Sequence, residues 1–243
     1  MPSFWLRHLA AKLPYSLQQE ARRLQCRWQI FRGRFRSREP EYDDLRKFVK
    51  PGDWVLDIGA NVGHYSLRLC ELVGPSGRVI AVEPVPATFE ILAANSLHFA
   101  HRNTTLLNVA ISDHASITRM DVPSWSYGGP NYYRAHMTET GGVVDVLCCT
   151  VDSLEIPHRV ALIKIDVEGN ARAALRGGTS LIARDRPMLI IEGEPHEFLP
   201  SLTDFDYHAW KYRDSPNVLL AANWQGYEGG PELVDAAQLM SRS

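Results

Sequence analysis

The sequence has few cysteines and no long apolar segment. Its 243 residues include four cysteines, none in a C-x-x-C pair, and two of these, Cys148 and Cys149, are adjacent, which is an awkward geometry for a disulfide. No stretch approaches the roughly 20 consecutive apolar residues of a spanning helix, and the N-terminus lacks the apolar core of a secretory signal. The composition, 45% apolar and 22% charged, is that of a globular protein. We expect a cytoplasmic protein with reduced thiols.

Charge is unevenly distributed along the chain. Residues 1–40 contain nine Lys or Arg and two acidic residues, whereas the remainder contains 17 and 26. Such a split indicates an acidic partner for the basic part. We predict a basic helical segment over residues 1–40, which could be a helical cap, a nucleic-acid contact or, through residues 1–38, a peripheral contact with an acidic membrane. The acidic body disfavours nucleic acid as a partner.

After Pro51, apolar runs alternate with runs of helical periodicity. The predicted strands cover residues 54–58, 79–82, 106–111, 161–165 and 188–191, and the predicted helices cover residues 42–49, 62–73, 87–99 and 171–183. This alternation predicts a mostly parallel sheet with helices on both faces. Two further runs, 205–212 and 218–222, have no helix between them, so they predict an antiparallel hairpin.

Two segments depart from this alternation. Residues 1–38 predict two short helices separated at Pro14. The insertion 112–153 contains one predicted strand, 143–151, and a stretch rich in glycine, proline and aromatic residues. This stretch either packs on itself or forms one wall of an acceptor pocket. The aromatic residues that would bind an acceptor are Trp125, Tyr127, Tyr132 and Tyr133.

A glycine turn follows the first predicted strand, in residues 55–63 (VLDIGANVG). In open parallel sheets ligands bind at the carboxyl ends of the strands, and glycines let the backbone approach the ligand closely. The spacing is G-x-x-x-G rather than the G-x-G-x-x-G of dinucleotide sites, and Asp57 would repel a pyrophosphate. The pattern therefore favours a ligand with an ammonium or sulfonium group. Glu83 ends the second strand before Pro84 and could accept both hydroxyls of a ribose.

These motifs resemble the class I S-adenosylmethionine-dependent methyltransferases and, more narrowly, the FkbM family. The resemblance extends over residues 51–192 and rests on residues 57–63, 82–84, 108–113 and 164–169, the last being the most family-specific. It implies a Rossmann-like α/β fold with a mostly parallel seven-stranded sheet, a reversed last strand and helices on both faces. Residues 41–243 would then form the domain that binds S-adenosylmethionine and releases S-adenosylhomocysteine.

The same resemblance implies roles for individual residues. It places the methionine part of the cofactor on Asp57, Gly59, Asn61 and Gly63, the ribose on Glu83 beside Pro84, and the adenine on Ile111 and Ser112 with Asp113 nearby. Asp166 ends the fourth predicted strand, beside the place where the methyl group leaves, and is expected to contact the cofactor as well as to act in catalysis. These assignments are expectations for the structure.

Residues 166–169 (DVEG) stand where enzymes that methylate exocyclic amines carry an Asn/Asp-Pro-Pro-aromatic phrase, so an oxygen acceptor is favoured. The candidates for removing its proton are Asp166, Glu168, His196 and His64. Asp166 and Glu192 could instead share a divalent ion. Gly169 replaces the lysine that catechol-type enzymes place there, which disfavours a metal.

We therefore predict an S-adenosylmethionine-dependent O-methyltransferase that acts on a hydroxyl of a sugar, glycolipid precursor or secondary metabolite. The alternatives are a metal-assisted or nitrogen-directed small-molecule methyltransferase and a non-catalytic module that retains the cofactor fold. We expect a small-molecule or glycan acceptor and no nucleic-acid partner. The acceptor, the general base and the oligomeric state stay open.

Overall fold

The apolar runs of the sequence pair side by side in a central sheet. The computed structural model describes residues 13–126, 128–138, 141–193, 195–222 and 230–234. The strands of the central sheet are β1 (Trp54–Ile58), β2 (Arg78–Val82), β3 (Thr104–Leu107), β8 (Val160–Ile165), β9 (Met188–Glu192), β10 (His208–Lys211), β11 (Asn217–Ala221) and β12 (Glu232–Val234).

The strand order is β12-β10-β11-β9-β8-β1-β2-β3. The five strands from β3 to β9 are mutually parallel, and β11 lies antiparallel between β9 and β10. The predicted parallel sheet, the hairpin and the reversed last strand are therefore confirmed. The short strand β12 pairs antiparallel with β10 and adds an eighth strand at the edge of the predicted seven.

Helices cover both faces of this sheet, as predicted. They are α1 (Tyr15–Phe31), α2 (Pro40–Phe48), α3 (His64–Val73), α4 (Pro86–Ser96), α5 (Ala171–Arg176), α6 (Thr179–Asp185) and α7 (Pro195–Phe198). The prediction of one helix over 171–183 was wrong, because α5 and α6 are separated at Gly177 and Gly178. Glycine has low helix propensity, and a Cβ at Gly177 would overlap the carbonyl oxygen of Ser112.

The prediction of one strand over 106–111 was also wrong. The chain leaves the central sheet after β3 and re-enters a strand only at β4 (Ala110–Ile111), which belongs to a second sheet. Asn108 marks the departure, because its side-chain amide donates to the carbonyl oxygens of Glu83 at 2.8 Å and Pro84 at 2.9 Å. These bonds tie the turn to the end of β2.

The insertion is more regular than its sequence predicted. It contributes β5 (Ser116–Asp121), β6 (His136–Thr138) and β7 (Val144–Cys149), and with β4 these form a four-stranded sheet in the order β4-β7-β5-β6. The inner face of this sheet buries Met120, Val146 and Cys148 against Val85 and Ala110. Cys148 is therefore a packing residue of this sheet.

Side chains alternate between the two faces of the central sheet. Val55, Leu162 and Ile190 pack on the face covered by α2 and α3, and their neighbours along each strand pack toward α5, α6 and α7. Each of these three strands carries a charged residue on the same face, two positions after the apolar one. The charged residues are Asp57, Lys164 and Glu192. The alternation thus gathers these three charges at the carboxyl edge of the sheet, beside α3.

The helix α1 begins directly after Pro14, where the sequence predicted a break. The first of the two helices predicted there lies outside the described residues. Gln19 on the inner face of α1 is buried and donates to the carbonyl oxygen of Ala87 at 2.8 Å. Within the described part of the chain, no helix combines the length and apolarity needed to cross a membrane.

Candidate active site

A cavity of about 420 Å³ opens at the carboxyl ends of β1, β2 and β8. The loops after these strands, the N-terminal segment before α2 and the second sheet supply its walls. The predicted site residues that line it are Asp57, Gly59, Asn61, His64, Glu83, Pro84, Ile111, Tyr132, Tyr133, Asp166, Glu168 and Glu192. Residues from six separate segments of the chain therefore meet in one cavity.

The glycine turn is held against the ends of two strands. The N–H groups of Gly59 and Ala60 both donate to the carbonyl oxygen of Val82 at 2.9 Å. Gly59 has a φ of +80°, and a Cβ there would overlap the carbonyl oxygen of Asp166. Only glycine fits at this position, because the turn touches the backbone at the end of β8.

Gly63 has a different role from the one expected. It lies outside the cavity lining, precedes α3 with a φ of +98°, and a Cβ there would lie 2.7 Å from Cδ1 of Leu92. The residue permits close packing of α3 on α4 rather than contact with a ligand. Asn61 does line the cavity, with its side-chain oxygen accepting the N–H of Val62 at 2.8 Å.

The carboxylate of Asp57 is fully buried, and one of its two oxygens has a hydrogen-bond donor. Ser66 donates its hydroxyl to Oδ2 at 2.5 Å, whereas Oδ1 is buried with no hydrogen-bond partner. Burial raises the pKa of Asp57, and the ammonium of Lys164 and the bond from Ser66 oppose that increase. A buried carboxylate oxygen without a donor fits a cationic ligand group such as the ammonium of S-adenosylmethionine.

The carboxylate of Glu83 is held by two backbone donors. Asn61 N–H donates to Oε2 and Val85 N–H donates to Oε1, each at 2.9 Å. Burial is the main reason that the pKa of Glu83 rises to about 7, while these two bonds lower it. Each oxygen keeps a lone pair for a further donor, so the geometry fits the two hydroxyls of a ribose.

Lys164 is the cation at the centre of this site, and the sequence did not predict that role. Its side chain is 4% exposed, and its Nζ lies 2.8 Å from Oδ2 of Asp166 and 4.7 Å from the ring centroid of Tyr65. Burial lowers the pKa of Lys164, but the charges of Asp166 and Asp57 more than offset this and the net shift is upward. A lysine inside an otherwise apolar strand (VALIKI) was the available signal.

Asp166 and Glu192 end neighbouring parallel strands, where Ile165 pairs with Ile191. Burial and the charge of Asp166 raise the pKa of Glu192 to about 7. Glu39, from the basic N-terminal segment, also lines the cavity, and burial raises its pKa. The position of Glu39 could not be predicted from the sequence, because no local pattern links this residue to β8. Among the described residues, no group of three or more His, Cys, Asp or Glu has the geometry of a metal site.

The expected adenine side of the site is only partly formed by the predicted residues. Ile111 lines the cavity, and its carbonyl oxygen accepts the side-chain amide of Asn170 at 2.8 Å. Ser112 and Asp113 lie outside the lining. Ser112 donates its N–H to the second sheet, and Asp113 pairs with the neighbouring His114 on the surface. The cause is that β4 already pairs with β7 in the second sheet, so the residues after Ile111 follow that sheet.

The two histidine candidates differ in position. His196 lies exposed on α7 and outside the cavity lining. His64 lines the cavity with its ring stacked on Phe35 at 4.2 Å. Burial, followed by the charge of Lys164, lowers the pKa of His64 to about 4, so it is a weak base at neutral pH. Glu168 is exposed at the cavity rim, where its backbone bridges to His136.

The aromatic insertion supplies one wall of the cavity, in agreement with one of the two alternatives. Tyr132 and Tyr133 line it, and the guanidinium of Arg22 lies 4.6 Å from the ring centroid of Tyr132. Trp125 lies outside the lining, in a short turn where its N–H donates to the carbonyl oxygen of Gly129 and its carbonyl oxygen accepts the N–H of Gly128. Tyr127 lies outside the described residues.

The strand order and the glycine-and-acid site at its carboxyl edge define the fold of the class I S-adenosylmethionine-dependent methyltransferases. The family model described as "Methyltransferase FkbM domain" matches residues 57–212. The chain therefore belongs to the FkbM methyltransferase family, as its motifs indicated.

Curated relatives share segments of the chain. The 31-O-demethyl-FK506 methyltransferase FkbM of Streptomyces tacrolimicus is 40% identical over 73 residues, 30% of this chain and 27% of that protein. A protein-L-isoaspartate O-methyltransferase of Methanothrix thermoacetophila is 29% identical over 42% of this chain and 48% of that protein. The chain thus spans less than half the length of these relatives. A solved FkbM methyltransferase of Methylobacillus flagellatus is similar over 90% of this chain and 57% of its own, with 17% identity and a TM-score of 0.47.

Proposed function

We propose that this protein transfers a methyl group from S-adenosylmethionine to a hydroxyl of a small-molecule or glycan acceptor, such as a sugar, glycolipid precursor or secondary metabolite. The observation that supports this most is the pair of carboxylates, Asp166 and Glu192, which face the same cavity as Asp57 and Glu83. A carboxylate pair can take a proton from an alcohol, and the Asn/Asp-Pro-Pro-aromatic phrase of amine methylation is absent from the sequence.

The residues divide into holding and proton-accepting groups. Asp57 would bind the amino end of the cofactor through its unpaired oxygen, and Glu83 would bind the ribose hydroxyls. S-adenosylmethionine, when bound, supplies an electrophilic methyl group. Asp166, fixed by Lys164 at 2.8 Å, would orient the acceptor hydroxyl next to that group. Holding the reacting atoms in line is the main contribution that we assign to the protein.

Glu192 is the base that we favour. Its pKa of about 7 lets it exist as a carboxylate near neutral pH and still bind a proton strongly enough to remove one from an alcohol. Tyr132 and Tyr133 provide ring faces on which a sugar or an aromatic acceptor could stack. An acceptor stacked on these rings would lie on the side of the second sheet.

The experiment uses purified full chain, methyl-labelled S-adenosylmethionine and fractionated small metabolites and glycans, with mass spectrometry of labelled products. Asp166→Asn keeps the shape and removes the charge, so turnover should fall by about a hundredfold or more while cofactor binding persists. An O-methylated product from the wild-type chain supports the proposal. A labelled amine, protein or RNA would contradict it, and loss of activity in chelator restored by magnesium would instead favour the metal-assisted alternative.

A further inference from the structure

The helix α1 has apolar side chains on two opposite faces. Within the described part of the chain the inner face packs on the body, whereas the outer face is largely exposed and its Phe31 ring lies 5.4 Å from that of His98. Cys26 and Ile30 of the inner face pack with Phe35, Val62 and Ile91 of the body. On the outer face stand four large apolar side chains, which we call the outer stripe: Leu17, Leu24, Trp28 and Phe31. At 3.6 residues per turn these four side chains fall within about 60° of one another around the helix axis.

The outer stripe is exposed to an unusual degree. Leu17 is 54% exposed, Leu24 56%, Trp28 50% and Phe31 67%. Exposed large apolar residues occur singly on most soluble proteins, whereas a contiguous group indicates a surface that binds something apolar. The stripe lies on the side of α1 away from Gln19, which binds the body, so it does not belong to the cavity wall.

Arginines border the outer stripe. Arg32 and Arg34 each lie 5.7 Å from the ring centroid of Trp28, and Arg27 lies 5.6 Å from that of Phe31. Arg27, Arg32 and Arg34 are exposed, whereas Arg23, which is also exposed, pairs with Glu20 at 3.2 Å. Long arginine side chains can extend over apolar surface and place their charge at its rim. An apolar stripe bordered by cations is complementary to the acyl boundary and anionic headgroups of a bilayer.

We propose that the outer face of α1 binds the surface of an anionic membrane, with Trp28 and Phe31 inserted at the headgroup boundary. A second copy of the chain is a poorer occupant, because pairing two stripes would bring their arginine borders together. A nucleic acid is poorer too, because it offers phosphates to the arginines but no apolar partner for Leu17 and Leu24. This inference is independent of the proposed methyl transfer.

Vesicle flotation tests the proposal with the full chain. The probe is phosphatidylcholine vesicles containing about 30% phosphatidylglycerol, compared with phosphatidylcholine alone. We expect the wild-type protein to float only with the anionic vesicles and to be released at about 0.5 M salt, where charges are screened within a few ångströms. Replacing Leu24→Ser together with Trp28→Ser should weaken vesicle binding by about tenfold or more, because the bound apolar area falls.

A matched control separates this face from general surface hydrophobicity. Ile117 is 77% exposed and Leu147 56% exposed, and they pair across strands on the outer face of the second sheet. Ile117→Ser with Leu147→Ser should leave vesicle binding unchanged. Circular dichroism would verify folding, which these substitutions of exposed side chains should preserve.

Several outcomes would overturn the proposal. These are no flotation of the wild-type protein at low salt, equal loss in the control variant, and equal binding to neutral and anionic vesicles. Sedimentation that shows a dimer broken by Leu24→Ser with Trp28→Ser would assign the stripe to a second copy instead. A short RNA could also displace the wild-type protein from the vesicles. If the same RNA binds the Leu24→Ser with Trp28→Ser variant as tightly as the wild-type protein, the arginines belong to a nucleic-acid site instead.

Discussion

Replacing Lys164 with Met tests whether one buried cation holds the charges of the site together. The substitution keeps the length of the apolar stem and removes the ammonium, which lies 2.8 Å from Asp166 and opposes the rise in the pKa of Asp57 that burial causes. Asp166 is 38% exposed and can be hydrated, but Asp57 is fully buried. The free-energy loss should therefore come mainly from Asp57.

The size of the loss has a ceiling, because Asp57 can take up a proton instead of remaining an unpaired buried anion. Protonating a carboxyl whose ordinary pKa is about 3.9 costs about 4 kcal/mol at pH 7 and about 2 kcal/mol at pH 5.5, at 1.36 kcal/mol per pH unit. We expect Lys164→Met to lower the free energy of unfolding by about 2 to 4 kcal/mol at pH 7. In the variant, burial raises the pKa of Asp57 in the folded state above its value in the unfolded state. Stability is therefore lost as the pH rises above the unfolded pKa, so the decrease in the free energy of unfolding at pH 5.5 should be about half of that at pH 7.

Urea unfolding at the two pH values measures this difference. Lys47→Met is the matched control, because Lys47 lies 3.0 Å from Asp44 but its side chain is 38% exposed. It should cost less than about 1 kcal/mol at either pH, as partly exposed ion pairs do. If Lys164→Met also costs less than about 1 kcal/mol, or if its cost does not change with pH, the reasoning about Lys164 is refuted.

Two further predictions concern the ligand and the base. Glu83→Ala should weaken binding of S-adenosylmethionine and S-adenosylhomocysteine by about 1 to 3 kcal/mol in calorimetry, and unchanged affinity in a folded variant would exclude Glu83 from the cofactor site. Turnover at saturating cofactor should rise with pH through about 7, as Glu192 loses its proton. Glu192→Gln should lower turnover by about a hundredfold and remove that rise, and an unaltered pH profile would show that another group is the base.

The fold could be predicted largely from local pattern. Apolar runs such as Trp54–Ile58 are short enough to be strands, and the alternation with helical periodicity permits few arrangements other than a parallel sheet. The split of the third predicted strand could not be predicted. It depends on the side chain of Asn108 reaching carbonyl groups at the end of β2, which is a contact between residues 24 and 25 positions apart.

The cofactor side of the site was also determined by the sequence. Asp57 and Gly59 lie in one turn, and Glu83 ends the adjacent strand, so strand pairing alone brings them together. The prediction for Gly63 differed from the structure because a G-x-x-x-G spacing does not distinguish a glycine that faces a ligand from one that faces Leu92. Position 63 does require glycine, as the motif indicated. The packing of α3 on α4 decides that Leu92 is the neighbour that imposes this requirement.

Only the tertiary structure decided the charge arrangement around the acceptor. Lys164, Glu192 and Glu39 come from β8, β9 and the N-terminal segment, and no spacing along the chain connects them. They meet because side chains on adjacent strands alternate in register and the segment before α2 crosses the open edge of the sheet. The sequence by itself determined which strand ends carry charge, through the period of two along each strand. Which of these charges share a cavity, and how far each pKa moves, depends on packing between elements distant in sequence.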